Sequence, residues 1–272
     1  MAVHEEKVLI AVDTGFVWGT FVLPGTLIPG VLFVHGWGGS QAQYLARSHE
    51  IAMLGCICLT FDLRGHADTQ PQFKTVSRAM NLQDVVTAYD QLAARRDVDP
   101  SAIAVVGSSY GAYLAAILTS LRPVRWLSLR APALYRDANW NDAKSLLQQT
   151  QSLQDYRSRP VDVDDNQALR ACRDYRGDVL LVESEHDDIV PAAVLASYQR
   201  ACKDAKSLTY RRLDGADHGL TQEAAQASYS ALLVQWLGEM IGGARRRSTG
   251  PVPVADGDSA ETPPEHSAAR AA

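Results

Sequence analysis

Cysteine is scarce in this 272-residue chain: there are four, Cys56, Cys58, Cys172 and Cys202. None stands in a paired metal-binding spacing, and nothing in their placement suggests a disulfide framework. Cys56 and Cys58 lie two apart in an apolar run, so they share one face of a strand and read as buried, inert thiols. Long hydrophobic runs are also missing. No apolar stretch reaches the roughly 18 residues that a membrane span needs. The first residues, MAVHEEKVLIAVDTG, lack a basic segment followed by an apolar one, so no secretory leader is expected and the expected compartment is the cytoplasm. Positive charge is not in excess. Twenty-six basic side chains face 31 acidic ones, a net charge of −5, which argues against a dedicated nucleic-acid binder. No internal repeat is visible.

What is present is ordinary soluble-protein composition, 46% hydrophobic and 21% charged, over a length that supports one large domain with a well-buried core. Residues 7–23 alternate around Asp13-Thr14-Gly15 and read as a β-hairpin. GVLFVHG (30–36), CICLTFDLRG (56–65), IAVVG (103–107), WLSLRAP (126–132), DVLLVES (178–184) and SLTYRRL (207–213) read as strands, the first of them as a strand buried on both faces. Helical spacing marks 41–54, 78–96, 110–121, 191–203 and 220–241. Strand and helix therefore alternate after an antiparallel start. The expected fold is α/β: a mostly parallel central sheet, an N-terminal antiparallel hairpin and helices on both faces. In such sheets chemistry gathers at the C-terminal strand ends.

Two segments fall outside the alternation. Residues 133–177 are polar and read as a small, partly helical cap inserted in a domain spanning 1–242. Residues 243–272 are rich in Pro, Ala, Ser and charge and read as a disordered tail, in which Arg245-Arg246-Arg247 are the one candidate contact for an acidic partner.

The strand at 103–107 ends in Gly107-Ser108-Ser109-Tyr110-Gly111, a G-x-S-x-G motif with the strand–turn–helix context that exposes a nucleophilic serine. Ser109 holds the nucleophile position, and Ser108 lies at the variable position and is expected to point away. A serine needs a base, and the base needs an orienting group. Of seven histidines, His218 follows the last strand in LDGADHGL, while His186 stands in the acid-rich VESEHDDIVP at the end of the strand before.

These pieces together resemble the α/β-hydrolase superfamily over about residues 7–241. LFVHGWGGS, LTFDLRGHADT, VVGSSYGAYLA, LLVESEHDDIVP and LDGADHGL come in that family's order, and the chain looks most like its short-cap esterase and serine-aminopeptidase-like members. The resemblance implies Ser109 as nucleophile, His218 as general base and Asp187, three residues after the small Ser184, as the acid. Asp188 and Asp217 are the alternative acids. It also implies an oxyanion hole from the backbone amides of Trp37 and Tyr110, whose side chains are candidates for the acyl pocket. His35, Arg64 and His66 read as structural. Ala67 and Asp68 depart from the family's usual glycine and small polar residue after the DLRGH turn.

The expected activity is two-step hydrolysis of small to medium carboxylic esters through an acyl-enzyme. No metal or organic cofactor is needed, and the only partner implied is the small-molecule ester. Amide, peptide or thioester hydrolysis and transfer to another acceptor are the alternatives on the same residues. A peptidase would want a charged anchor, for which Asp155, Asp162, Asp164 and Asp165 are candidates. A non-catalytic binding module on the same fold is the alternative of a different class.

Overall fold

The computed structural model describes residues 3–12, 15–24, 27–147 and 151–248. The hairpin strands pair as expected, β1 (Val3–Val12) antiparallel to β2 (Gly15–Pro24), with Val12 opposite Gly15. It makes its own two-stranded sheet.

The second sheet has six strands: β3 (Ile28–Val34), β4 (Ile57–Thr60), β5 (Val98–Ser108), β6 (Trp126–Arg130), β7 (Asp178–His186) and β8 (Ser207–Asp217). Their order is β4-β3-β5-β6-β7-β8, and every pairing is parallel. The apolar runs in the sequence have a direct physical cause. Successive side chains alternate between faces, and both faces are covered. On β3, Leu32 and Val34 pack into one core, while Val31 and Phe33 pack into the other. On β5 the split is Ile103 and Val105 against Ala104 and Val106.

The first core lies under α2 (Arg78–Ala93) and α3 (Tyr110–Leu118), and the second under α1 (Ala42–Ala52). Helix α2 starts where Ser77 caps it, its side chain accepting from Met80 N–H at 3.2 Å. Helix α3 is buried at all nine positions, which explains a sequence apolar on every side.

The segment 133–177 divides in two. Its first part holds the short helix α4 (Leu153–Arg157) and is tied to the α2–α3 layer. The fully buried Arg78 donates to the carbonyls of Arg136 (2.7 Å) and Ala138. Gln151 donates to the Ala138 carbonyl at 2.9 Å. Its second part, α5 (Gln167–Asp174), packs on α3 and on α6 (Ala192–Ala201), so it flanks the sheet instead of capping it. It buries Ala168, Leu169, Ala171 and Cys172, one short stripe among charged neighbours, which is why composition hid it. Asn166 caps it, accepting from the N–H groups of Ala168 and Leu169.

The last helix, α7, runs from Glu223 to Ser248, further than the expected end at 241. The rest of the expected tail, 249–272, lies outside the described residues. Among the described residues no helix is long and apolar enough to cross a membrane. Cys58, Cys172 and Cys202 are free thiols, and burial beside Cys56 pushes the Cys58 thiol up to about 12.

Candidate active site

Three C-terminal strand ends converge. Ser109 stands between β5 and α3 with φ 53° and ψ −114°, a conformation that L-residues avoid. The surroundings impose it. Ser109 N–H donates to the Arg130 carbonyl at 2.8 Å, and its own carbonyl accepts from Tyr113 N–H and Ala133 N–H, each at 3.1 Å. The flanking glycines are steric necessities. A Cβ on Gly107 would meet Ala112 Cα at 2.6 Å, and one on Gly111 would meet the carbonyl oxygens of Val34 and His35 at 2.2 and 2.5 Å. Strand and helix approach too closely there for any side chain.

His218 follows β8. Its Nε2 lies 2.9 Å from Ser109 Oγ, and its Nδ1 lies 2.9 and 2.8 Å from the two carboxylate oxygens of Asp187. Because Nδ1–H donates to the carboxylate, the neutral ring leaves Nε2 free to accept the serine proton. Asp187, just past β7, also accepts from Ile189 N–H (2.9 Å) and Val190 N–H (2.7 Å). Its carboxyl side chain is only 4% exposed. Burial alone would raise its pKa. The bonds from His218 and Val190, with the His218 charge and the Ile189 N–H, outweigh burial and hold it below the ordinary carboxyl value. Asp188 is exposed and takes no part. Asp217 accepts from Thr221 N–H (2.9 Å) and the Thr221 hydroxyl, closing its own turn.

The loop Gly36–Gly39 passes directly over the serine: a Cβ on Gly36 would sit 3.4 Å from Ser109 Cβ. Two buried histidines hold this loop. His35 Nδ1–H donates to the Gly36 carbonyl at 2.8 Å, while its Nε2 accepts from Leu63 N–H at 3.0 Å. His66 Nε2 accepts from Gly38 N–H at 3.0 Å. Burial lowers the pKa of both rings. Arg64 pairs with Asp84 at 2.5 Å and donates to the Met80 carbonyl, so the DLRGH turn is fastened to α2. Among the described residues, no backbone acceptor is found for the amides of Trp37 and Tyr110.

The two side chains part company. Trp37 lines the cavity in front of Ser109. Tyr110 does not: its ring is fully buried, and its hydroxyl donates to Asn81 at 3.2 Å. The first residue of a helix buried on all sides has its ring in the core, so the expectation of a Tyr110 ring in the acyl pocket fails.

Sequence reasoning missed Arg130. Only 6% exposed, it donates from Nε to Ser108 Oγ (2.7 Å), from Nη1 to Ser184 Oγ (3.3 Å) and from both Nη atoms to the His218 carbonyl (2.9 Å each). It links β5, β6, β7 and the histidine loop. Ser108 Oγ thus accepts from Arg130, whereas Ser109 Oγ meets His218. A charged residue inside the apolar run WLSLRAP was the available signal.

Among the described residues no group of three or more His, Cys, Asp or Glu side chains is placed to hold a metal ion. The cavity measures about 290 Å³ and is lined by the glycine loop, the residues after His218, and α1 and α7. None of its lining residues comes from 133–177.

Known proteins extend this geometry. The chain is 30% identical over 130 residues to an uncharacterized protein of Mycobacterium tuberculosis H37Rv, a match covering 47% of this chain and 45% of that protein. The chain thus matches about half the length of the curated relatives. Solved structures share the fold at low identity. Dienelactone hydrolase from Anabaena variabilis aligns with TM-score 0.56 and 18% identity, over 86% of this chain and 96% of that one. Est1E from Butyrivibrio proteoclasticus, solved with ferulic acid bound, aligns with TM-score 0.60 and 13% identity, over 90% and 96%. An esterase from Pyrobaculum calidifontis aligns with TM-score 0.58 and 19% identity, over 87% and 85%. Residues 42–244 match the prolyl oligopeptidase family, so the chain belongs to that family, within the α/β-hydrolase superfamily.

Proposed function

We propose that the protein is a serine hydrolase that cleaves carboxylic esters through an acyl-enzyme. The observation that carries this reading is the continuous relay from Asp187 through His218 to Ser109, with contacts of 2.8 and 2.9 Å, at a strained elbow. His218 Nε2 takes the hydroxyl proton as Ser109 Oγ attacks the carbonyl carbon. Asp187 fixes the ring tautomer and stabilises the imidazolium. The oxygen of the tetrahedral intermediate takes the amides of Trp37 and Tyr110 as donors, each worth about 3–4 kcal/mol in such sites. The alcohol leaves with the proton from His218. Water, activated by the same ring, then releases the acid.

The family match raises peptide hydrolysis as a second reading. The cavity speaks against an aminopeptidase. No acidic side chain lines it, so nothing there would hold a terminal ammonium. Asp155, Asp162, Asp164 and Asp165 are all exposed and outside it. Asp164 pairs with Arg173 instead. Esterases and dienelactone hydrolase among the structural neighbours agree with an ester substrate.

The test is turnover of p-nitrophenyl acetate and butyrate by the purified protein, beside Ser109→Ala and Ser108→Ala. Turnover by the wild type and Ser108→Ala, with none by Ser109→Ala, is the expected result. Turnover that survives Ser109→Ala, or a wild type that is inert and unlabelled at Ser109 by a fluorophosphonate, overturns the reading.

A further inference from the structure

The cavity in front of Ser109 carries charge of one sign. Its lining includes Arg47 and Arg130 and no carboxylate. Both guanidinium groups lie against a single ring: Arg47 Cζ is 5.1 Å and Arg130 Cζ 5.8 Å from the Tyr229 ring centre. Among the described residues neither arginine has an ion-pair partner. Glu50 and Glu223 line the adjoining groove with Arg47 but do not pair with it. Two cations that share a cavity wall, neither paired with a carboxylate, favour an anion between them and the solvent.

The two arginines differ in what remains to them. Arg130 is spent on Ser108, Ser184 and the His218 carbonyl. Arg47 is held but not used up. Its Nε donates to Ser230 Oγ and its Nη1 to the Gln43 carbonyl, each at 3.0 Å, which fixes the plane of the group. Its Nη2 has no acceptor among the described residues. A guanidinium already oriented by its neighbours, with donors to spare at a cavity wall, suits recognition of a carboxylate at small entropic cost.

We propose that Arg47 is the specificity-determining residue of the site and receives a free carboxylate on the acyl part of the substrate. The substrates are then half-esters of dicarboxylic acids. This rests on the ester-hydrolase reading above and narrows it. Hydrolysis consumes one water and releases the alcohol and the diacid, which holds the same Arg47 contact until it leaves.

Product-like diacids probe the subsite without any need for turnover. Succinate, glutarate and adipate are titrated calorimetrically into the wild type, Ser109→Ala, Arg47→Gln and Arg47→Lys, with glutaramide as the neutral control. Hydrolysis of monomethyl and dimethyl glutarate is followed by proton release. At least one diacid should bind the wild type and Ser109→Ala, about tenfold or more weakly to Arg47→Gln, and with intermediate affinity to Arg47→Lys. Glutaramide should not bind. In Arg47→Gln, kcat/KM for the monomethyl ester should fall about tenfold more than that for the dimethyl ester. No binding of any diacid by the wild type, equal binding by wild type and Arg47→Gln, or equal loss for both esters overturns the proposal. Diacid binding through Arg47 with no ester turnover and no labelling of Ser109 removes the hydrolase reading and leaves the subsite standing. Ester turnover indifferent to Arg47 does the reverse.

Discussion

Both terminal nitrogens of Arg130 donate to the carbonyl oxygen of His218, each at 2.9 Å. The residue that carries the general base is therefore held by a buried cation on another strand. Replacing Arg130 with methionine keeps the bulk but strips donors from Ser108, Ser184 and His218. Buried acceptors that lose a charged donor cost about 1.5–3 kcal/mol each, so Arg130→Met should lower unfolding free energy by at least about 2 kcal/mol. Its kcat should drop at least about tenfold as His218 loosens. Arg130→Lys should rescue little, since one ammonium cannot span three partners. Urea midpoints and kcat for p-nitrophenyl acetate measure both effects.

Asp187 and Asp188 are adjacent, but only Asp187 meets the imidazole. Asp187→Asn should reduce kcat by about 10³–10⁴-fold, because the wrong ring tautomer is then favoured. Asp188→Asn should stay within about threefold of the wild type, as exposed substitutions usually do. The pH dependence has a definite sign. Asp187 has a folded pKa below its ordinary value of 3.8. Its ionisation contributes stability that is fully present above the unfolded value and is lost as pH falls through the folded one. The difference in unfolding free energy between wild type and Asp187→Asn should be flat above about pH 5 and shrink below about pH 4. A difference that grows on acidification would sink this account.

His35 and His66 both accept a backbone N–H at Nε2, and burial lowers both pKa values below 6.5. In the unfolded chain they take up protons first. Stability should therefore fall as pH drops below about 6.5 and level off once the folded rings also titrate. His66→Gln keeps an acceptor for Gly38 N–H and removes one titrating group. The loss of unfolding free energy between pH 7 and pH 5 should be smaller in this variant, as read by urea unfolding. An equal or larger loss contradicts the assignment.

Glycine substitutions separate crowding from backbone conformation. Gly111→Ala drives a Cβ into two backbone oxygens and should cost more than about 3 kcal/mol and abolish activity. Gly215 has φ 69° but open space around it, so Gly215→Ala should cost only about 1–2 kcal/mol. Thermal unfolding of the two variants tests the contrast.

Local chemistry made the alternating α/β pattern and the serine elbow legible in the sequence, and the resemblance to the α/β-hydrolases pointed to His218 and to the Asp187-Asp188 loop. Apolar runs mark strands covered on both faces, and a glycine on either side of a serine marks a turn with no room for side chains. The α5 helix was not legible, because its four buried residues are a stripe too short to stand out from charged neighbours. Nor was the burial of the Tyr110 ring, which depends on where α2 and α3 meet. Tertiary structure alone decided the choice between Asp187 and Asp188, the link from Arg130 to His218, and the meeting of Arg47 with Arg130 at Tyr229. These contacts, with the Arg47–Ser230 hydrogen bond, join residues from 31 to 183 positions apart in the chain. Periodicity and propensity act over a few residues, whereas these contacts exist only once the parallel sheet has brought its strand ends together.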